Sequence, residues 1–252
     1  MEGWPVVQAG ATGHNRAMTR DENDGALTPK EPDRALTPEE PDRVLTPEEI
    51  VRLFTRADGR FLFARWGRPI APVVFGVTEE TLGIVKGAIE AVVTLAGHKM
   101  AETDPELGAN LMVFFVRDWQ ELADTPNLDR LVPDLGSLVV RLDAVGANQY
   151  RLFRFDRQGA IQACFVFLRM DPDLAEMPAE ALALSQVVQA MLLWSEAAFA
   201  SRSPLAITPG GTTVLRPEIG ALIRAAYDPV LPGAAADTAH ALRLHARMEA
   251  GR

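Results

Sequence analysis

The stretch Gln149-Tyr150-Arg151-Leu152-Phe153-Arg154-Phe155-Asp156-Arg157-Gln158-Gly159-Ala160-Ile161-Gln162-Ala163-Cys164-Phe165-Val166-Phe167-Leu168 reads as two strands around a tight turn. Residues 149–155 and 160–168 are rich in aromatic and β-branched side chains, and Asp156-Arg157-Gln158-Gly159 places glycine where a positive φ is tolerated. Upstream, Leu111-Met112-Val113-Phe114-Phe115-Val116 is apolar at every position, as expected of a central strand buried on both faces. Residues 61–63 to 72–75 read as one extended segment broken by Gly67 and prolines. Thr78-Glu79-Glu80 opens a helix whose apolar positions Leu82, Val85, Ile89, Val92 and Val93 follow a 3.6-residue period, and Gly97 ends it. A short helix is expected over 119–131. Downstream come an apolar helix over 182–199, a Ser-rich loop, a helix over 217–227 and a C-terminal helix over 235–248. The sum is an α+β domain with a mixed sheet of four or five strands and helices packed on its faces.

A chain of 252 residues, 48% hydrophobic, has ample material for such a core. No run of about 18 uninterrupted apolar residues occurs, so no transmembrane segment is expected. Residues 1–13 lack a basic segment followed by an apolar stretch, and so does the region after Met18. The expected location is cytoplasmic, with the periplasm or envelope as the alternative if the true start lies upstream. The net charge is −9, of which residues 1–49 carry −6, with eleven acids against five bases. The remainder is mildly acidic and has no basic stripe to neutralise phosphates, which argues against nucleic acid as a partner. The lone Cys164 excludes an intramolecular disulfide and a cysteine-based zinc site, and reads as a small core residue of a strand.

Residues 1–44 form a second kind of sequence: polar, acidic, Gly/Pro-rich and unable to bury enough surface to offset the entropy of ordering. They are expected to be a disordered arm, followed by a single domain over 45–252. The arm holds a nine-residue repeat, Ala26-Leu27-Thr28-Pro29-Lys30-Glu31-Pro32-Asp33-Arg34 and then residues 35–43 with the same pattern. A third copy, Val44-Leu45-Thr46-Pro47-Glu48-Glu49-Ile50-Val51-Arg52, has Ile50 where the others have Pro32 and Pro41. Thr-Pro-Glu-Glu is a helix start, with a hydroxyl cap, proline in the first turn and acids at the positive end of the dipole. Proline stops copies one and two, whereas copy three can continue as the first helix of the domain. The arm is the expected place for any protein partner.

The segments Gln189-Ala190-Met191-Leu192-Leu193, Ser201-Arg202-Ser203-Pro204-Leu205 and Leu222-Ile223-Arg224-Ala225-Ala226-Tyr227-Asp228-Pro229-Val230-Leu231-Pro232-Gly233 resemble an uncharacterised proteobacterial family of predicted zincin-like proteins. The strands before them and Arg65-Trp66-Gly67-Arg68-Pro69-Ile70 are similar to that family's opening, so the likeness covers residues 61–244. It implies a zincin-like fold, and the family is commonly exported. In a working zincin, two histidines on one helix face hold zinc and a glutamate activates water. Members of the family resembled here carry acids before the equivalent glutamine. Aligned on Gln189, those positions hold Ser185 and Gln186, whose neutral side chains bind zinc poorly and are no base near neutral pH. The resemblance therefore implies a pseudoenzyme with no metal and no cofactor, with Ser185, Gln186 and Gln189 as the degenerate site positions and candidate binding residues. As polar groups of a buried helix they are also expected to hydrogen-bond the neighbouring loop.

Other chemistry is sparse. His98 follows Gly97 at a helix end and reads as a cap on free carbonyls, while His240 and His245 lie about 140° apart around a helix and do not converge on one ion. Ser201 and Ser203 lack a nucleophile elbow, and Gly210-Gly211 reads as a turn. Glu180, Glu196 and Glu218 are the remaining catalytic candidates, as acids of a divergent, peptidase-like hydrolase. Glu180 and Glu218 are equally well explained as first-turn acids of helices. The two functional expectations are thus a non-catalytic binding or scaffolding domain and, as the alternative, that hydrolase.

Overall fold

A computed structural model describes residues 43–102 and 108–251, together with the backbone of 25–26. In chain order the elements are β1 (Gly25–Ala26), α1 (Pro47–Phe54), β2 (Phe63–Ala64), β3 (Pro72–Phe75), α2 (Glu79–Leu95), β4 (Leu111–Val116), α3 (Gln120–Ala123), α4 (Leu128–Leu131) and α5 (Leu135–Ala144). They continue with β5 (Gln149–Phe155), β6 (Ile161–Arg169), α6 (Pro172–Glu176), α7 (Ala179–Met191), β7 (Leu205–Ile207), β8 (Thr213–Leu215), α8 (Pro217–Ala226), β9 (Ala234–Ala235) and α9 (Ala239–Ala250).

The main sheet has the order β1-β5-β6-β4-β3. The β5–β6 hairpin is antiparallel, and its turn closes as the residues dictate. Gly159 has φ +84°, and the Asp156 carboxylate accepts from the backbone N–H groups of Gln158 and Ala160, both at 2.9 Å. β6 then runs parallel to β4, and β4 parallel to β3 across the α2 crossover, so the sheet is mixed. Four strands carry it, with the two-residue β1 paired to β5 at Tyr150 and Arg151.

Side chains alternate across this sheet into two cores. Met112, Phe114, Phe165, Phe167 and Tyr150 face α3, α4 and α5, while Leu111, Val113, Cys164, Val166, Leu168 and Phe153 face the layer holding α2 and α7. β4 is a central strand buried on both sides, as its unbroken apolar run predicts. α1, α8 and α9 extend the second core outward. The third repeat copy is α1: Thr46 Oγ1 accepts from Glu49 N, and the Glu49 carboxylate accepts from Thr46 N at 2.9 Å. This reciprocal cap, with Pro47 in the first turn, seats Ile50 and Phe54 in the core, where Phe54 stacks on Trp194 at 5.3 Å. Repeat copies one and two, apart from Ala26 and Arg43, lie outside the described residues.

Several sequence expectations are corrected. The helix expected over 182–199 starts at Ala179 and ends at Met191, and the chain leaves it extended. Leu192 pairs with Arg65, Leu193 N donates to Ala64 O, and Ser195 N donates to Leu53 O, so backbone pairing with distant segments unwinds the apolar run. The extended stretch over 61–75 is divided between two sheets, β2 pairing with β9 and β3 with β4. The helix expected over 119–131 is two single turns, α3 and α4, separated by Asn127 at φ +62°. The helix α5 lies outside the elements expected from sequence, and the C-terminal helix starts only at Ala239, after β9 and a turn in which the Asp237 carboxylate accepts from Ala239 N at 2.8 Å.

Candidate functional site

α7 is hydrophobic and nearly wholly enclosed, between α2 on one side and the sheet on the other. Its carboxyl end is buried without a glycine or proline stop, so the final carbonyls need partners from elsewhere. Three aromatic side chains supply them. Trp194 Nε1 donates to Val188 O at 3.0 Å, Trp66 Nε1 to Ala190 O at 2.9 Å, and the Tyr227 hydroxyl to Met191 O at 2.9 Å. The Tyr-Asp-Pro stretch thus ties the end of α8 to the end of α7. Arg65 lies over the Tyr227 ring and His98 packs beside it, with His98 Nε2 at 2.8 Å from the Arg68 carbonyl. The His98 ring therefore meets a carbonyl of a distant segment, while its backbone N–H donates to Val93 O of its own helix at 3.0 Å. Burial raises the Tyr227 pKa above its ordinary value and lowers that of His98.

The three polar side chains of α7 are all inside: Ser185 is 5% exposed, Gln186 3% and Gln189 5%. Gln189 Nε2 donates to Ser185 Oγ at 3.0 Å, one helical turn away. Gln186 reaches the sheet, where its Oε1 accepts from Arg151 Nη2 and its Nε2 donates to Gln149 Oε1 at 2.9 Å. Arg151 Nη2 also donates to Gln149 Oε1 at 3.1 Å. The stripe thus bonds to strand β5 and to itself, where the sequence reading had the neighbouring loop as partner. Gln149 and Arg151 face α7 because they share β5 parity with Phe153, opposite Leu168 and Val166 of β6.

Arg151 is the unusual member. It is 3% exposed, and burial brings its pKa down to about 10, so the guanidinium is still charged at neutral pH. No ion pair joins it to a carboxylate among the described residues, and its Nε and Nη1, with Gln149 Nε2, have no hydrogen-bond partner there. Cys164 feels the Arg151 charge, but burial dominates and pushes the thiol up to about 12, which leaves it protonated and unreactive at neutral pH.

The carboxylate candidates are engaged separately. Glu180 is exposed in the first turn of α7. Glu196 pairs with Arg56 Nη2 at 2.5 Å and accepts from Ala57 N at 3.1 Å, while Arg56 Nη1 donates to Trp194 O. Glu218, 1% exposed at the start of α8, pairs with Arg43 at 3.3 Å and Arg202 at 3.1 Å. Among the described residues no group of three or more His, Cys, Asp or Glu is placed to hold a metal. His240 packs against Phe63 and His245 Nδ1 lies at 2.9 Å from Leu45 O, so the two face different neighbours. Ser203 Oγ accepts from Leu205 N, and Gly211 turns β7 into β8 at φ +83°. No helix among the described residues is long and apolar enough to cross a membrane. The residues that sequence reading passed over are Gln149 and Arg151; the signal available was a charged side chain on the same strand parity as Phe153. Comparison with known proteins finds no match among family models, curated proteins or solved structures.

Proposed function

We propose that this chain is a non-catalytic, zincin-like α+β domain that acts by binding or scaffolding, with the acidic arm as its contact to a protein partner. One observation carries the reading: the Arg151 guanidinium hydrogen-bonds Gln186, at the helix position where the resemblance places an acid of the metal site. A divalent cation about 4 Å from a guanidinium is repelled by about 8 kcal/mol at an effective dielectric near 20. The Gln149 and Gln186 oxygens moreover both accept from Arg151 Nη2, and Gln186 Nε2 donates to Gln149 Oε1. Such a locus favours negative ligands over zinc. The hydrolase alternative needs two free carboxylates facing one reacting centre, whereas Glu196 and Glu218 are each paired to arginines that fix the surrounding segments.

The test is hydrolysis of a fluorogenic peptide mixture by the full chain, with and without added zinc. The expected result is no turnover above that of a Glu218→Gln variant. Turnover that rises with zinc, or that is lost on replacing Glu180, Glu196 or Glu218, overturns the reading.

A further inference from the structure

The polar seam between α7 and β5 holds more donors than acceptors. Arg151 Nη2 is satisfied by the Gln149 and Gln186 oxygens, and Gln186 Nε2 donates to Gln149 Oε1. Arg151 Nε, Arg151 Nη1 and Gln149 Nε2 are left over, all buried. Buried polar groups are as a rule hydrogen-bonded, and a buried charge is as a rule paired, because desolvation costs several kcal/mol per ion otherwise. A surplus of one positive charge and three donor nitrogens matches one chemistry, an oxyanion with several lone pairs. Planar guanidinium next to amide nitrogen is a donor set suited to carboxylate and phosphate oxygens. The seam also lies near the sheet margin: on its outer side Arg151 is in register with Gly25, a residue without a side chain, in a strand of only two residues.

We propose that Arg151 and Gln149 form a subsite for a small oxyanion, a carboxylate or phosphate group, with Gln186 positioning the guanidinium. This rests on the binding reading above and names the ligand class of the same locus. Thermal unfolding of the full chain at pH 7 tests it, with phosphate and, separately, succinate titrated against sodium chloride at equal ionic strength. A bound oxyanion raises the midpoint with the logarithm of its concentration above Kd, by about 5–10 °C at a hundredfold excess. A response to phosphate alone assigns a phosphoryl ligand and one to succinate alone a carboxylate, and either supports the subsite.

Arg151→Met removes the response. Should that variant fail to fold, Gln149→Glu gives a second route, since it places a carboxylate beside Arg151 within the chain. It should raise the midpoint without ligand and blunt the response to added anion. A wild-type response no larger than that to chloride, or one undiminished in Arg151→Met or Gln149→Glu, overturns the subsite. That failure in a protein that is zinc-free and inert toward peptides removes the subsite alone, whereas peptide turnover removes the binding reading itself.

Discussion

Arg151 carries a charge into a place where, among the described residues, two amide oxygens meet it, and the energetics of that choice can be measured at single residues. Replacing a buried unpaired charge by an apolar side chain of similar length removes a desolvation cost, while removing one of its acceptors leaves the charge behind. Gln186→Leu, which strips an acceptor from the guanidinium, should therefore cost about 2–3 kcal/mol. Arg151→Met should stay closer to wild type in urea unfolding. The reverse ranking would mean that Arg151 is better compensated than its contacts indicate. Gly76 makes a second residue-scale case. Its φ is +80°, and a Cβ there would stand 2.0 Å from the Phe115 carbonyl oxygen. Gly76→Ala should cost about 3 kcal/mol or more, since backbone must move at the junction of β3 with β4. An equilibrium stability within 1 kcal/mol of wild type, on the scale of an ordinary surface substitution, would rule this out.

At the scale of elements, the end of α7 depends on Trp66, Trp194 and Tyr227 and not on a local stop signal. Tyr227→Phe keeps the ring packing and deletes the hydroxyl donated to Met191 O, so it should cost about 1–2 kcal/mol without changing helix content. Circular dichroism and urea unfolding together separate this from a loss of fold. Helix α9 contributes a pH dependence. His240 is 1% exposed, its ring nitrogens have no partner among the described residues, and burial, with Arg243 and Arg65 adding to it, lowers its pKa to about 4. The unfolded chain binds a proton near the ordinary value of about 6.5, the folded chain only near 4. Between those values the unfolded state holds more protons, so stability is lost as pH falls from about 6.5 to 4. The loss attributable to His240 is at most about 3–4 kcal/mol, and His240→Phe should flatten the slope in that window. An unchanged slope would show that other groups set it.

Over the whole molecule, what could be read from the chain follows from how local the cause is. The β5–β6 hairpin, β4, α2, α8 and the α1 cap are governed by alternation, a 3.6-residue period or a turn and cap residue within a few positions, and all five appear where those signals lie. The end of α7 is not local: residues 192–195 are as apolar as the helix before them, and only pairing with Ala64, Arg65 and Leu53 turns them out of it. The division of 61–75 between two sheets has the same cause, since β2 pairs with β9, about 170 residues away in sequence. At the site, Ser185, Gln186 and Gln189 were identifiable as an interior polar stripe, but the partner across the seam was not. Strand parity puts Arg151 on the Phe153 face, but that it lies under Gln186 depends on where tertiary packing places α7.

The function proposed above puts a guanidinium at the locus where a zincin-like frame would hold its metal, and metal content tests that proposal most directly. Elemental analysis of the full chain, purified without chelator and dialysed against zinc at neutral pH, should find zinc well below one equivalent, and no less of it in Gln186→Leu than in wild type. One equivalent of zinc in the wild type that disappears in Gln186→Leu would contradict the account.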